Sequence, residues 1–165
     1  SEDEIRKFIR DDDSTTVEID LRDLKAVLDD VVIGDYAEFH TEERTDDLRG
    51  GWRVTVDKFL SDRVIGKIQE YNWKGQLNAG KKGFKPIEIS EEGLETIEWV
   101  SLDCTNPDKQ APWHSDAEIK IDKLGYVVRN GVKTQEFWDA TIRCDQKPLR
   151  MKIRNICGDE TVIVL

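Results

Sequence analysis

Ala117-Glu-Ile-Lys-Ile-Asp-Lys-Leu-Gly-Tyr-Val-Val-Arg-Asn-Gly-Val-Lys-Thr134 decides the fold class. Its first residues alternate apolar and polar, as in a strand with one face on a core and the other in water. Asn130-Gly131 separates two β-rich runs, Tyr126–Arg129 and Val132–Thr134, and both turn residues tolerate the positive φ of a two-residue hairpin. Further runs of this kind surround them at Ile87–Ile89, Ile97–Leu102, Ala140–Arg143, Leu149–Ile156 and Thr161–Leu165, with a turn expected at Cys157-Gly158-Asp159. The second half therefore reads as a mostly antiparallel sheet.

Upstream the period changes. Ser1 and Glu4 form a capping box ahead of Ile5, Phe8 and Ile9. A short strand at Val17–Asp20 leads to a helix with Leu21, Leu24, Val27, Leu28 and Val31 on one side and Gly34 as its stop. Tyr36–His40 and Trp52–Val56 read as a hairpin turning near Gly50 and Gly51. A third helix follows, capped by Ser61, with Val64, Ile65, Ile68 and Tyr71 as its buried stripe. The run Trp73–Phe84 holds three glycines and has no period, so it reads as a loop. The expectation is an α+β fold with about three helices in the N-terminal half. A helix-rich lobe over 1–80 would then meet an antiparallel β lobe over 81–165, either as two lobes or around one shared core.

A chain of 165 residues is long enough for one core without disulfides. It begins at Ser1 and its one methionine is Met151, so a piece of a longer protein is expected. No apolar run approaches a membrane span, and the charged start lacks the apolar centre of a secretory signal. A cytoplasmic setting with no membrane partner follows as the expectation. Cys104, Cys144 and Cys157 show no CxxC spacing, which argues for reduced thiols and against a disulfide framework or a zinc site.

The net charge of -10 is unevenly spread. Residues 1–49 carry 17 acidic and 7 basic side chains, whereas 63–85 carry 6 basic and 1 acidic. One face would repel phosphate while another accepts it. Leu149-Arg-Met-Lys-Ile-Arg154 alternates, so Arg150, Lys152 and Arg154 project from one strand face about 6.6 Å apart. With Arg63, Lys67, Lys81, Lys82, Lys85 and Lys147 they are candidate phosphate contacts, and Trp73 and Phe84 could stack a base. The plainer alternative is a wet sheet face paired to acidic neighbours.

Two catalytic constellations invite comparison. Asp108, with Glu118-Ile-Lys120 downstream, has the arrangement of a PD-(D/E)xK nuclease, in which two carboxylates hold a divalent metal and the lysine orients water. Any half-exposed strand in so charged a chain yields an ExK triplet. Cys104 and His114 suggest a nucleophile and base, but no third residue orients them. Neither constellation outweighs structural roles for its residues, so no catalytic or metal-binding set is expected. Of the five tryptophans, Trp52, Trp99 and Trp138 read as core, and Trp73 and Trp113 as loop-border residues open to contact.

Across Leu24–Tyr36, Trp113–Asp122, Phe137-Trp-Asp139 and Leu149–Glu160 the chain resembles the non-catalytic, C-terminal part of site-specific DNA adenine methyltransferases, the modification subunits of bacterial type III-like restriction systems. The family's FxGxG turn and DPPY or NPPY tetrad are missing; Asn106-Pro107-Asp108 has one proline and no stacking aromatic. The resemblance implies an accessory role in positioning DNA or a partner subunit. S-adenosylmethionine would be bound by the parent enzyme and not by this piece. The partners implied are DNA, the catalytic methyltransferase domain of the same chain and a restriction subunit. A protein-interaction module docking through the acidic first third is the other non-catalytic reading.

Overall fold

The computed structural model describes residues 34–45, 48, 50–79 and 83–165. The two helices and the strand expected before Gly34 fall outside the described residues, as do Lys81 and Lys82.

Among the described residues, alternating segments become nine strands: β1 (Tyr36–Glu43), β2 (Trp52–Leu60), β3 (Ile97–Asp103), β4 (Ala117–Ile121), β5 (Tyr126–Arg129), β6 (Val132–Phe137), β7 (Thr141–Cys144), β8 (Arg150–Asn155) and β9 (Glu160–Val164). All pairings are antiparallel. A three-stranded sheet runs β1-β2-β7 and a six-stranded sheet runs β6-β5-β4-β3-β8-β9. The fold is thus α+β with sheet dominating the C-terminal part. The helix α1 (Asp62–Leu77) is the one α-helix among the described residues, joined by a 3-10 turn at Leu94–Thr96.

The Asn130-Gly131 turn forms as expected, with φ of 51° and 78°. Gly158, at φ 90°, turns β8 into β9. Val54, Val56 and Phe59 of β2 and Ile142 of β7 pack with Val100, Leu102, Ile121, Met151 and Ile153 of the larger sheet. Strands from both sides of residue 80 therefore line one core. Burying these aliphatic faces supplies the main driving force, about 25 cal/mol per Å2 removed from water.

Helix α1 starts where the sequence places it: the Ser61 side chain accepts from the Val64 N–H at 3.3 Å. It runs past the expected stop. Trp73 and Gly75 are helical because the Phe84 ring lies on the bare Gly75 backbone, where an added Cβ would come within 2.2 Å of it. Ile87–Ile89 does not form the expected strand. The Asn72 amide occupies both backbone groups of Ile87, accepting at 2.8 Å and donating at 2.9 Å. No helix among the described residues is long and apolar enough to cross a membrane.

Gly93, at φ 68°, sets the entry to β3, and a Cβ there would lie 2.1 Å from the Phe59 carbonyl oxygen. Backbone cannot yield as a flexible side chain can. Gly93→Ala is expected to lower the unfolding free energy by about 2 kcal/mol or more, read from urea denaturation.

Candidate functional site

Strand register assembles the outer face of the six-stranded sheet. Opposite Trp99 stand Arg154 on β8 and Lys120 on β4; opposite Ser101 stand Lys152 and Glu118. A bulge between Ile97 and Trp99 changes the parity, so Ile97 turns into the core while Trp99 turns outward. The Arg154 guanidinium lies 4.6 Å from the Trp99 ring centre. Trp99 donates its indole N–H to Glu118 at 3.0 Å. A groove of about 450 Å3 adjoins this tryptophan, lined by Glu118, Lys120, Val128, Arg129 and Asn130 among others.

The loop after β3 covers the other end of this face. Trp113 donates to Ser101 Oγ at 3.1 Å, and its ring carries the Lys152 ammonium at 4.7 Å and the Arg150 guanidinium at 4.9 Å. Beneath it Arg150 is fully buried and ion-paired with Asp103, which is also fully buried. The guanidinium donates to three loop carbonyls as well: Asp108 at 2.7 Å, Ala111 at 2.9 Å and Pro112 at 3.0 Å. Asp103 accepts from the Thr105 N–H and hydroxyl, each at 2.7 Å, from the Asn106 N–H at 3.2 Å and from the His114 N–H at 3.1 Å. Burial opposes ionisation of Asp103, but the Thr105, His114 and Arg150 donors outweigh it and hold the carboxyl well below the usual range.

The expected comb of three cations on β8 needs correction. Arg150 points to the same side as Lys152 and Arg154, yet the loop seals it from water, so it cannot touch phosphate. Arg154 keeps 36% of its side chain in solvent and Lys152 only 19%, and the two share Glu160, at 3.8 Å and 3.6 Å. Arg63 pairs with Asp159 at 2.8 Å, and Lys147 lies 5.8 Å from the Trp52 ring centre. Lys67 is exposed on α1 and Lys85 in the segment after it. Of the nine proposed phosphate contacts, those that share the outer face with Trp99 and keep part of the side chain in solvent are, among the described residues, Lys152 and Arg154.

The nuclease set is not gathered either. Asp108 accepts from the Gln110 N–H at 3.0 Å inside its loop while Glu118 holds Trp99, and among the described residues no three carboxylate, histidine or cysteine groups converge as metal ligands. His114 contacts Asp116 at 3.0 Å, and the Cys104 thiol donates to the Gln146 carbonyl at 3.5 Å, so the two form no nucleophile–base pair.

Trp99 is the contact residue that the sequence reading assigned to the core. The signal was present: Val100 and Leu102 alternate with Ser101 and Asp103, which places Trp99 on the polar side. The bulge that frees Ile97 from this parity was not visible. Trp73, expected at the border of a loop, is exposed on α1.

No protein-family model, no curated protein and no solved structure matches this chain.

Removing Arg150 would leave a buried carboxylate and three loop carbonyls without their donor. Arg150→Ala is expected to cost about 3–5 kcal/mol in denaturant unfolding. Asp103 has a pKa depressed on folding, so its stabilisation is complete above the unfolded value of about 3.9 and is lost as pH falls through the lower folded value. Asp103→Asn should therefore flatten the loss of stability below about pH 4, measured by urea titration at successive pH values.

Proposed function

We propose that this chain is a non-catalytic domain that positions DNA for a parent adenine methyltransferase, contacting the nucleic acid through the outer face of its six-stranded sheet. The observation that carries this reading is the clustering of Trp99, Trp113, Lys152, Arg154 and Lys120 on that face. Tryptophan offers a stacking surface worth about 1–3 kcal/mol per base, and alternate cations on a strand can follow a phosphate backbone.

The link with Glu160 does not defeat this role. Both contacts are longer than 3.5 Å and the Glu160 side chain is 42% exposed. Pairs of that kind are worth about 0–1 kcal/mol, so a phosphate can displace the carboxylate at little cost. The overall charge of -10 would keep the rest of the molecule away from the duplex and confine contact to this patch. The methyltransferase context rests on the sequence resemblance, and S-adenosylmethionine would belong to the catalytic domain of the parent.

With three strand cations on the face, Lys120, Lys152 and Arg154, log K should fall with log salt at a slope of about -3 for duplex DNA. Lys152→Ala with Arg154→Ala should remove most of that slope, and Trp99→Ala should weaken binding to an unpaired strand by about 1–3 kcal/mol in fluorescence anisotropy titrations. Affinity indifferent to salt and to all three substitutions would refute the interface. A chain that ignores DNA but forms a stable complex with a methyltransferase or restriction subunit would make it a protein-interaction module.

A further inference from the structure

Three cysteines without motif spacing gave no reason to expect a pair, yet folding brings two of them together. Cys104 follows the last residue of β3 in the six-stranded sheet, and Cys144 ends β7 in the three-stranded sheet. Both are free and half-buried. Their thiols donate to one acceptor, the Gln146 carbonyl, at 3.5 Å and 3.0 Å, which brings the two sulfurs to the same oxygen. Cys157 sits apart, in the turn between β8 and β9.

We propose that Cys104 and Cys144 form a modification site for low-molecular-weight disulfides, which convert the pair to an intramolecular disulfide. The Cys104 thiol loses its proton to solvent and the thiolate attacks one sulfur of the reagent, forming a mixed disulfide and expelling one thiolate. Cys144 then deprotonates and attacks the Cys104 sulfur, forming the Cys104–Cys144 bond and releasing the second reagent thiolate. Two protein thiols are oxidised and one reagent disulfide is reduced to two thiols. Sulfurs that converge on one carbonyl oxygen have only a short distance to close before reaching a bonding separation of about 2.05 Å. The bond would join the two sheets and fix the start of the loop that carries Trp113.

The surroundings set the rate. Burial, together with the Asp116, Asp103 and Asp145 carboxylates, raises the Cys104 thiol, while its contact with Cys144 favours the Cys104 thiolate. Burial, with Cys104, Asp145 and Asp116 adding to it, pushes Cys144 up to about 12. Cys104 is therefore the attacking group. Reaction is slow near neutral pH and faster in mild alkali, where more thiolate is present. This site is independent of the nucleic-acid reading.

The test is exposure of the full chain to oxidised glutathione at about pH 8.5, followed by intact mass and peptide mapping. Wild type and Cys157→Ser should each lose the mass of two hydrogens and yield a crosslinked peptide joining Cys104 to Cys144. Cys144→Ser should instead retain glutathione on Cys104, whereas Cys104→Ser, which lacks the attacking thiol, should leave Cys144 largely reduced. In urea, where the contact is lost, Cys157 should enter the mixture of products. Glutathione adducts accumulating on wild-type Cys104 or Cys144 without the crosslink, or a native chain left reduced while the urea-unfolded chain oxidises, would overturn the proposal.

Discussion

The buried ion pair between Asp103 and Arg150 is the interaction on which the candidate site depends. It closes the end of β3 onto the start of β8, and each partner also bonds the backbone of the loop between β3 and β4. Two charges taken out of water are costly unless their remaining donors and acceptors are satisfied. Here the loop supplies three carbonyls to the terminal nitrogens of the arginine, leaving its Nε without a partner, and N–H groups to the aspartate, so these bonds offset most of the cost of burial and order a segment with no regular secondary structure. Trp113 reaches the sheet because of that ordering.

The same arrangement divides the three basic residues of β8 between two roles. Backbone alternation sends all three to one side, but only one lies beneath the loop. Arg150 becomes a structural residue there, while Lys152 and Arg154 stay at the surface beside tryptophan rings. Cations held against indole faces are attracted by the ring and gain a fixed position. The surface that results is aromatic and mixed in charge rather than a plain basic strip.

Much of the secondary structure was legible from local chemistry. Period-two alternation marked the strands of the larger sheet, Asn130-Gly131 marked their tightest hairpin, and Ser61 marked the start of α1. Local chemistry failed where distant residues intervened. Gly75 looked like a helix breaker until Phe84 covered it, and Ile87 looked like a strand residue until Asn72 took its backbone groups. Trp99 has the size and strand setting of a core residue, yet the alternation of Val100 and Leu102 with Ser101 and Asp103 puts it on the outer face, and a bulge lets Ile97 join the core instead.

By itself the amino-acid order determined which segments are extended, which faces are apolar and where the chain turns, because these depend on residues within a few positions of one another. Only the tertiary structure decided that Arg150 is buried with Asp103 and that Cys104 and Cys144 converge on one carbonyl. Each of those outcomes depends on groups brought together from separate strands and loops. Pairing across such distances is set by packing of the whole core, and no local pattern encodes it.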